Sequence, residues 1–230
     1  MDLREIRAYS EGDDTRRIDP AATARTGRPH VRSFHEDRDN TVLLIADFRP
    51  EMLWGTSSSL RSVRAARLLA RRGWEVIDQG ASVAVLTLTR SRISALPART
   101  GIQHMTAIAQ LLAHEHDKAL DMEQGSCSLS VTLARAAKLV PAGARVWLAS
   151  DTQGVAEEDA AALGRLARRR RVTLLCPLDP AEAAPPSLPL PIRCGNTSRF
   201  ARLSSFDKTP LSTRMRALNV TVEVIADDAG

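Results

Sequence analysis

Lysine is scarce in this 230-residue sequence, although the net charge is +5. Almost all of the positive charge is arginine, since the lysines are Lys118, Lys138 and Lys208. Arginine in place of lysine, together with abundant alanine, is also what a compositionally biased genome produces. The charge therefore gives only weak support for nucleic-acid binding, which we do not expect.

Cysteine is also scarce, and its pattern bears on the compartment. The three cysteines form no C-x-x-C pair, and their odd number favours a reducing environment: Cys127, Cys176 and Cys194. No uninterrupted apolar run approaches the roughly twenty residues that a membrane-spanning helix needs. Charged residues fill the place of the apolar core of a signal peptide, namely Asp2, Arg4, Glu5 and Arg7. We therefore expect a cytoplasmic protein without a membrane span.

A glycine-rich phosphate loop is absent as well, which excludes a nucleotide-hydrolysing role for this chain itself. The length suits one α/β domain, or one domain with an extra arm, and is sufficient for a substantial core.

Strand and helix patterns alternate from residue 41 onward. Thr41–Asp47 is apolar nearly throughout, as a central parallel strand covered on both faces should be. Other strands are predicted at Ala81–Thr89, Ala144–Ser150, Val172–Cys176 and Val220–Ile225, with a short hairpin arm at Arg92–Pro97. Helices are predicted at Ser57–Arg72, Gly101–His114, Ser128–Leu139, about Glu157–Arg168 and Leu211–Leu218. This order predicts an α/β fold with a doubly wound, mostly parallel central sheet and helices on both faces.

The first predicted helix carries an apolar stripe that includes Leu60, Val63 and Ala66. Its arginines lie elsewhere on the helix, at Arg61, Arg64, Arg67 and Arg71. A proline-rich crossing loop is predicted at Pro185–Pro191.

The polar segment ahead of the first strand carries a fixed pattern of charges. Its core reads G-D-D-x-R-R-I-D, with Gly12, Asp13, Asp14, Arg16, Arg17 and Asp19. An A-R-T-G-R-x-H-V-R stretch follows, and then the strand that ends in Asp47. On these motifs the chain resembles the bacterial domain-of-unknown-function family 58, although Pro20 stands where the family usually has Trp.

The resemblance implies a von Willebrand factor A-like domain over residues 41–230, with a family-specific polar arm, residues 1–40, packed on it. It also implies a MoxR-type AAA+ ATPase as partner, with an unknown client protein. The alternating charges of the arm fit either an internal network of ion pairs or a partner-binding surface. Many members of the family carry membrane helices ahead of this region, whereas this sequence begins without them.

Von Willebrand factor A domains hold a metal-ion-dependent adhesion site at the carboxyl ends of their strands. The resemblance places D-x-S-x-S after the first strand, a Thr in a second loop and an Asp in a later loop. Here Arg49 and Glu51 occupy the two serine positions. Cys127, next to Ser126, aligns with the Thr, and only the two acids are kept, Asp47 and Asp151.

Arg49, in the loop after the first strand, makes a bound divalent metal ion unfavourable. A guanidinium about 4 Å from a divalent cation is repelled by roughly 8 kcal/mol at an effective dielectric constant of 20. We therefore expect no Mg²⁺ at Asp47 and Asp151, and we predict that Arg49 supplies the positive charge, placed among Asp47, Glu51 and Asp151. The alternative is an Arg49 that points to solvent, with Glu51 as a surface residue.

No catalytic pair is evident, so we predict a non-enzymatic protein-interaction domain with a degenerate adhesion site. A thiol-dependent enzyme using Cys127 is one alternative, although the sequence places no histidine to act as its base. A nucleic-acid-binding protein using its arginine-rich surface is the other. Asp179-Pro180-x-Glu182 also resembles a family motif, for which a structural role is the default.

Overall fold

The computed structural model describes residues 3–10, 15, 18–34, 40–121, 125–194, 197–202 and 205–226. The chain divides into two compact units, Met1–Asp39 and Asn40–Gly230. In the first unit, strand β1 (Leu3–Ala8) leads through helix α1 (Pro20–Thr26) to strand β2 (His30–Phe34), which pairs antiparallel with β1.

Of the charged and glycine residues named for the polar arm motif, Asp19 lies within the described residues. Its side chain is buried, and its Oδ1 accepts a hydrogen bond from the Ala22 N–H at 2.8 Å, which caps the amino end of α1. The predicted roles of the other motif residues fall outside the described residues: Gly12, Asp13, Asp14, Arg16 and Arg17.

The second unit is built on a six-stranded sheet. In chain order its strands are β3 (Thr41–Asp47), β4 (Ser82–Leu88), β5 (Ile93–Arg99), β6 (Arg145–Ala149), β7 (Arg171–Pro177) and β10 (Val220–Ile225). Strands β8 (Leu190–Cys194) and β9 (Thr197–Ala201) form a separate antiparallel pair. In the large sheet the order is β10-β7-β6-β3-β4-β5, and every neighbouring pair is parallel except β4 and β5.

Helices cover both faces of this sheet. They are α2 (Arg61–Asp78), α3 (Ile102–Asp121), α4 (Leu129–Leu139), α5 (Ala160–Ala167), the short α6 (Pro180–Ala183) and α7 (Thr209–Ala217). Side chains of α2 and α3 form one core cluster with Val42 and Leu44, while α4, α5 and α7 form another with Leu43 and Ile45. The predicted α/β fold with a doubly wound, mostly parallel central sheet and helices on both faces is confirmed. No helix in the described part of the chain is long and apolar enough to cross a bilayer.

Strand β3 is central because its sequence requires two covered faces. All of its residues are buried, and alternate side chains enter the two core clusters. The chain leaves β3 toward β4 and later returns to its other side as β6, so the order of strands reverses between β3 and β6. Ligand sites of open α/β sheets lie at such a reversal, beyond the carboxyl ends of the strands. Asp47 and Ser150 lie at this point.

Several predicted boundaries were wrong. Helix α2 begins at Arg61 and not at Ser57, and α3 extends to Asp121. The segment Glu157–Asp159 is a 3-10 turn ahead of α5. β8 begins at Leu190, inside the stretch predicted as a loop.

The positions of two arginines also differ from the expectation of a helix with its charges away from the core. Arg61 is 2% exposed and Arg64 is 7% exposed. Both side chains run from α2 to polar groups beyond the strand ends, so their burial is compensated by hydrogen bonds.

Candidate functional site

Asp47 ends β3 with its carboxylate buried at the point where the strand order reverses; the residue is 1% exposed. Arg49 folds back onto it. The backbone N–H of Arg49 donates to Asp47 Oδ1 at 3.0 Å, its Nε donates to the same oxygen at 3.0 Å, and its Nη2 donates to Oδ2 at 2.7 Å. The Arg49 side chain therefore points inward, and the alternative of an arginine turned to solvent does not hold.

The loop after β6 completes this pair. Ser150 Oγ donates to Asp47 Oδ2 at 2.7 Å, and Arg49 Nη2 donates to the Gly154 carbonyl at 2.6 Å. Gly154 is needed at this point because a Cβ there would collide with Ser150 Oγ. The close passage of the loop brings its carbonyl within reach of the guanidinium, so two separate loops hold Arg49 in place.

Charge favours the ionised form of Arg49. Burial alone would lower the pKa of this guanidinium, but hydrogen bonds and the negative charge of Asp47, aided by Glu51 and Asp159, raise the pKa above its ordinary value. Asp159 is 2% exposed, and its Oδ1 has no hydrogen-bond partner among the described residues. The positive charge of Arg49 therefore compensates a second buried acid without touching it.

A second arginine, Arg61, forms an ion pair with the other strand-end acid, Asp151. Arg61 donates from Nη1 to Asp151 Oδ1 at 2.5 Å and from Nη2 to Glu182 Oε2, and its guanidinium lies 4.5 Å from the centre of the Trp54 ring. Asp151 is thus held by Arg61, whereas the sequence led us to expect both Asp47 and Asp151 around Arg49. Asp47 and Asp151 lie in different loops, so each acid pairs with a different arginine.

Asp179 fixes the loop that leads into α2. Its carboxylate accepts hydrogen bonds from the Thr56 N–H at 2.8 Å, from the Thr56 hydroxyl and from the Ala181 N–H at 3.0 Å. Burial raises the pKa of Asp179, but these bonds and the nearby Arg61 charge outweigh burial and hold the pKa below its ordinary value. Asp179 also caps α6, while Glu182 Oε2 accepts from the Asp179 N–H at 2.9 Å. The Asp179-Pro180-x-Glu182 motif therefore has a structural role and also supplies a partner to Arg61.

The remaining predicted site residues lie farther from this pairing. Glu51 is exposed on the 3-10 turn Pro50–Met52. Ser126 is exposed, and Cys127 is half-buried, with its N–H donating to the Arg90 carbonyl at 2.7 Å. Among the hydrogen bonds of the described residues, none joins Ser126 or Cys127 to Asp47.

The carboxyl ends of the parallel strands and the loops that follow them form one edge of the sheet, which we call the rim. The side chains at this rim do not fit a Mg²⁺ site. Mg²⁺ needs about six oxygen ligands near 2.1 Å. The Asp47 oxygens already accept from Arg49 and Ser150, and the Asp151 carboxylate accepts from Arg61 and from the Thr152 N–H at 2.6 Å. Within the described ranges, no group of three or more His, Cys, Asp or Glu side chains is arranged to hold a metal ion.

Cys176 is a buried cysteine near Arg61, Asp151 and Glu182, and its thiol is not a nucleophile at neutral pH. Burial, together with the charges of Asp151 and Glu182, raises the pKa of Cys176 to about 12 despite the opposing charge of Arg61. A thiolate is the reactive form of cysteine, so Cys176 is inert in the folded state.

Sequence reasoning missed Arg61, Ser150 and Trp54. Arg61 lies outside the apolar stripe of α2, and hydrophobic periodicity assigns such a position to solvent. A signal was nevertheless present in Asp151 and Glu182, because acids that follow two neighbouring parallel strands lie at the same edge of the sheet, where a nearby cation favours their charged forms.

Comparison with known proteins agrees with this architecture. The family model described as "Protein of unknown function DUF58" matches residues 5–191. The chain belongs to this family. The predicted resemblance is therefore confirmed.

Curated relatives are known from mycobacteria. The uncharacterized protein Rv1480 of Mycobacterium tuberculosis (strain ATCC 25618 / H37Rv) is 33% identical over 109 residues, which is 47% of this chain and 34% of that protein. The uncharacterized protein Mb1516 of Mycobacterium bovis gives the same values. The match thus spans about a third of the length of these relatives.

Two solved structures share the fold. The conserved hypothetical protein BatB from Bacteroides thetaiotaomicron aligns with a TM-score of 0.55 and 15% identity, covering 82% of this chain and 92% of that one. An aerotolerance-related membrane protein from Bacteroides fragilis aligns with a TM-score of 0.55 and 16% identity over the same shares. At this identity the likeness concerns the fold alone.

Proposed function

We propose that this domain is a non-enzymatic protein-interaction module that binds its partner at the carboxyl ends of the sheet strands without a divalent metal. The observation that carries the proposal is the Arg49 guanidinium bonded to Asp47 in the loop where an adhesion site would need hydroxyl ligands. In a metal-dependent site the positive charge comes from a bound metal ion, whereas here it belongs to the Arg49 side chain.

The chemistry of the rim supports binding over catalysis. Each strand-end acid is neutralised by an arginine, Asp47 by Arg49 and Asp151 by Arg61. A general base or nucleophile needs a group whose pKa is poised near neutral pH. The shifted pKa values at this rim lie far from neutrality, because those of Arg49 and Cys176 are raised and that of Asp179 is lowered.

We also propose a partner for this domain: it acts with a MoxR-type AAA+ ATPase as an adaptor or assembly factor that presents a client protein. Membership in the family supports this partnership by analogy. A rigid rim suits an adaptor because loops that are already held by ion pairs lose little conformational freedom on binding.

The test is a binding measurement between the intact chain and the purified MoxR-type ATPase of the same organism, with and without ATP and with EDTA present. Rim variants Glu51→Arg and Gln153→Arg change exposed side chains that follow Arg49 and Asp151 by two residues in their loops. Lys138→Glu is the matched control, since Lys138 is exposed in the last turn of α4, before the amino end of β6.

We expect binding that persists in EDTA, falls at least about tenfold in both rim variants and is unchanged in Lys138→Glu. A tenfold change corresponds to about 1.4 kcal/mol, the size of one lost interfacial contact. Binding that disappears in EDTA would contradict the metal-independent rim. Absence of binding in every nucleotide state would contradict the ATPase partnership.

A further inference from the structure

The face of the sheet that carries α2 is covered unevenly. Near the start of α2, Arg64 donates to the carbonyls of Leu178 and Ala226, which follow β7 and β10. Farther along α2, a Cβ at Gly73 would lie 3.2 Å from the Leu44 side chain of β3. The helix therefore crosses the sheet diagonally, and no described helix of the second unit covers the amino-terminal halves of β6, β7 and β10 on this face.

Side chains in the uncovered area are polar or aromatic and reach solvent. In each strand, the alternate positions on this face are partly or fully exposed: Arg145, Trp147, Arg171, Thr173, Thr221 and Glu223. Farther toward the carboxyl ends, beneath α2, Ala149 and Leu175 are completely buried on the same face. The change in exposure thus follows the path of the helix.

Trp147 is the centre of this area. The guanidinium carbon of Arg72 lies 5.4 Å from its ring centre, and that of Arg145 lies 5.7 Å from it. Arg72 also pairs with Glu223 across the strands, with Nη2 and Oε2 2.5 Å apart. We call these four residues, Arg72, Arg145, Trp147 and Glu223, the Trp147 patch.

Arg145 is the residue whose charge the patch does not balance. Glu223 neutralises Arg72, but among the described residues Arg145 has neither an ion pair nor a hydrogen-bond partner for its side chain, and its Nε is closed off from solvent. A buried N–H without a partner is costly, and a carboxylate is the group that would satisfy a guanidinium best. The patch therefore combines an aromatic ring with one uncompensated cation.

We propose that the Trp147 patch binds a single amphipathic helix of a partner protein, which presents one Asp or Glu to Arg145 and apolar side chains to Trp147. Three adjacent strands span about 10 Å, which is the width of one helix. Tryptophan and arginine are the residues that most often dominate binding energy at protein interfaces. The patch is separate from the rim, so this inference does not depend on the proposed function.

Charge distinguishes this occupant from a nucleic acid. A polyanion gains affinity from several free cations and from open aromatic faces. In the Trp147 patch, Arg72 is already neutralised by Glu223, and the ring already carries two guanidinium groups. Within the four residues of the Trp147 patch, Arg145 is the cation that no described acid balances, and one carboxylate on an apolar helix matches that charge.

The probe is a phage-displayed library of amphipathic helical peptides, selected on the intact chain. Binding of the enriched peptides is then measured by fluorescence anisotropy. Arg145→Gln removes the cation, and it should fold normally because the side chain loses no described hydrogen bond. Arg165→Gln removes an exposed arginine from α5, on the opposite face, and is the matched control. Circular dichroism melts check that both variants are folded.

We expect the enriched peptides to share an Asp or Glu at one helical position and to bind Arg145→Gln at least about tenfold more weakly, with Arg165→Gln and the Arg49→Ser/Glu51→Ser rim variant unchanged. Peptides that bind wild type and Arg145→Gln equally, or a selection that yields no Arg145-dependent binder, would overturn the proposal. It would also be overturned if the Arg145-dependent occupant proved to be an oligonucleotide, or a second copy of this chain by sedimentation.

Discussion

Asp47 and Arg49 are bonded to one another within a single loop: Arg49 Nη2 lies 2.7 Å from Asp47 Oδ2, and the Arg49 backbone N–H donates to Asp47 Oδ1 at 3.0 Å. Both the main chain and the side chain of Arg49 thus turn toward the same carboxylate. This geometry places a permanent cation where the first of the two serine hydroxyls would face a metal in the adhesion site that the family resemblance implies.

The first prediction is that metal binding returns when this cation is removed. In Arg49→Ser/Glu51→Ser, the loop regains two short hydroxyl side chains beside Asp47, and we expect weak binding of Mg²⁺ and Mn²⁺ by isothermal titration calorimetry. The wild type should give no heat, because the guanidinium repels a divalent ion by roughly 8 kcal/mol at 4 Å and an effective dielectric constant of 20.

Adding Asp47→Ala to the double variant is the control and should abolish the regained heat. Wild-type binding at millimolar concentration or tighter, lost in Asp47→Ala alone, would contradict the prediction and return the domain to the metal-dependent class.

A second prediction concerns Arg61 and the two acids that it joins, Asp151 and Glu182, which we call the Arg61 cluster. Arg61→Met keeps the apolar stem but leaves Asp151 and Glu182 without their shared cation, and the Arg61 side chain is 2% exposed. Breaking such a buried pair typically costs about 3–5 kcal/mol. We expect a loss of this size in the free energy of unfolding measured with urea.

Two further variants make the measurement specific. Arg67→Met removes an exposed arginine from the same helix and should change stability by less than about 0.5 kcal/mol. Arg61→Lys keeps the charge but cannot bridge two acids with a planar fork, so it should fall between the two. A loss in Arg61→Met as small as that in Arg67→Met would show that the cluster contributes nothing to stability.

The sequence predicted the parts of the fold that depend on periodicity and burial. Thr41–Asp47 was located as the central strand because an apolar run without alternation fits only a strand covered on both faces. Leu129–Leu139 was located within one residue because a Ser cap begins it and a Pro-Ala-Gly turn follows it.

Other parts depend on long-range contacts that no local pattern contains. Arg61 was assigned away from the core because its partners, Asp151 and Glu182, lie 90 and 121 residues along the chain. The pair of β8 and β9 and the elements β1, α1 and β2 were missed, since their short polar sequences show neither strand alternation nor a helical stripe. For the same reason, the sequence located the two rim acids but not the separate arginine that each one meets.

The last prediction concerns Cys127 and Cys176, and it is checked in a Cys194→Ser background. Cys127 is half-buried, whereas Cys176 is completely buried with its pKa raised to about 12. At pH 8 we expect Ellman's reagent to modify Cys127 in the native protein and to reach Cys176 only after unfolding. Adding Cys127→Ser should remove the native signal, and adding Cys176→Ala should leave it intact.

The raised pKa of Cys176 also makes stability depend on pH. Below about pH 8.5, the ordinary thiol pKa, both the folded and the unfolded states keep the proton, and the group adds no pH dependence. Between that pH and about 12, the Cys176 thiol ionises in the unfolded state and stays protonated in the folded state. The free energy of unfolding therefore falls as the pH rises. Relative to Cys176→Ala, the Cys194→Ser protein should lose about 2 kcal/mol between pH 8 and pH 10 in urea unfolding. Parallel pH profiles for the two proteins would show that Cys176 titrates in the folded state at its ordinary pKa, and that the thiol is not shielded by β7 and the Arg61 cluster.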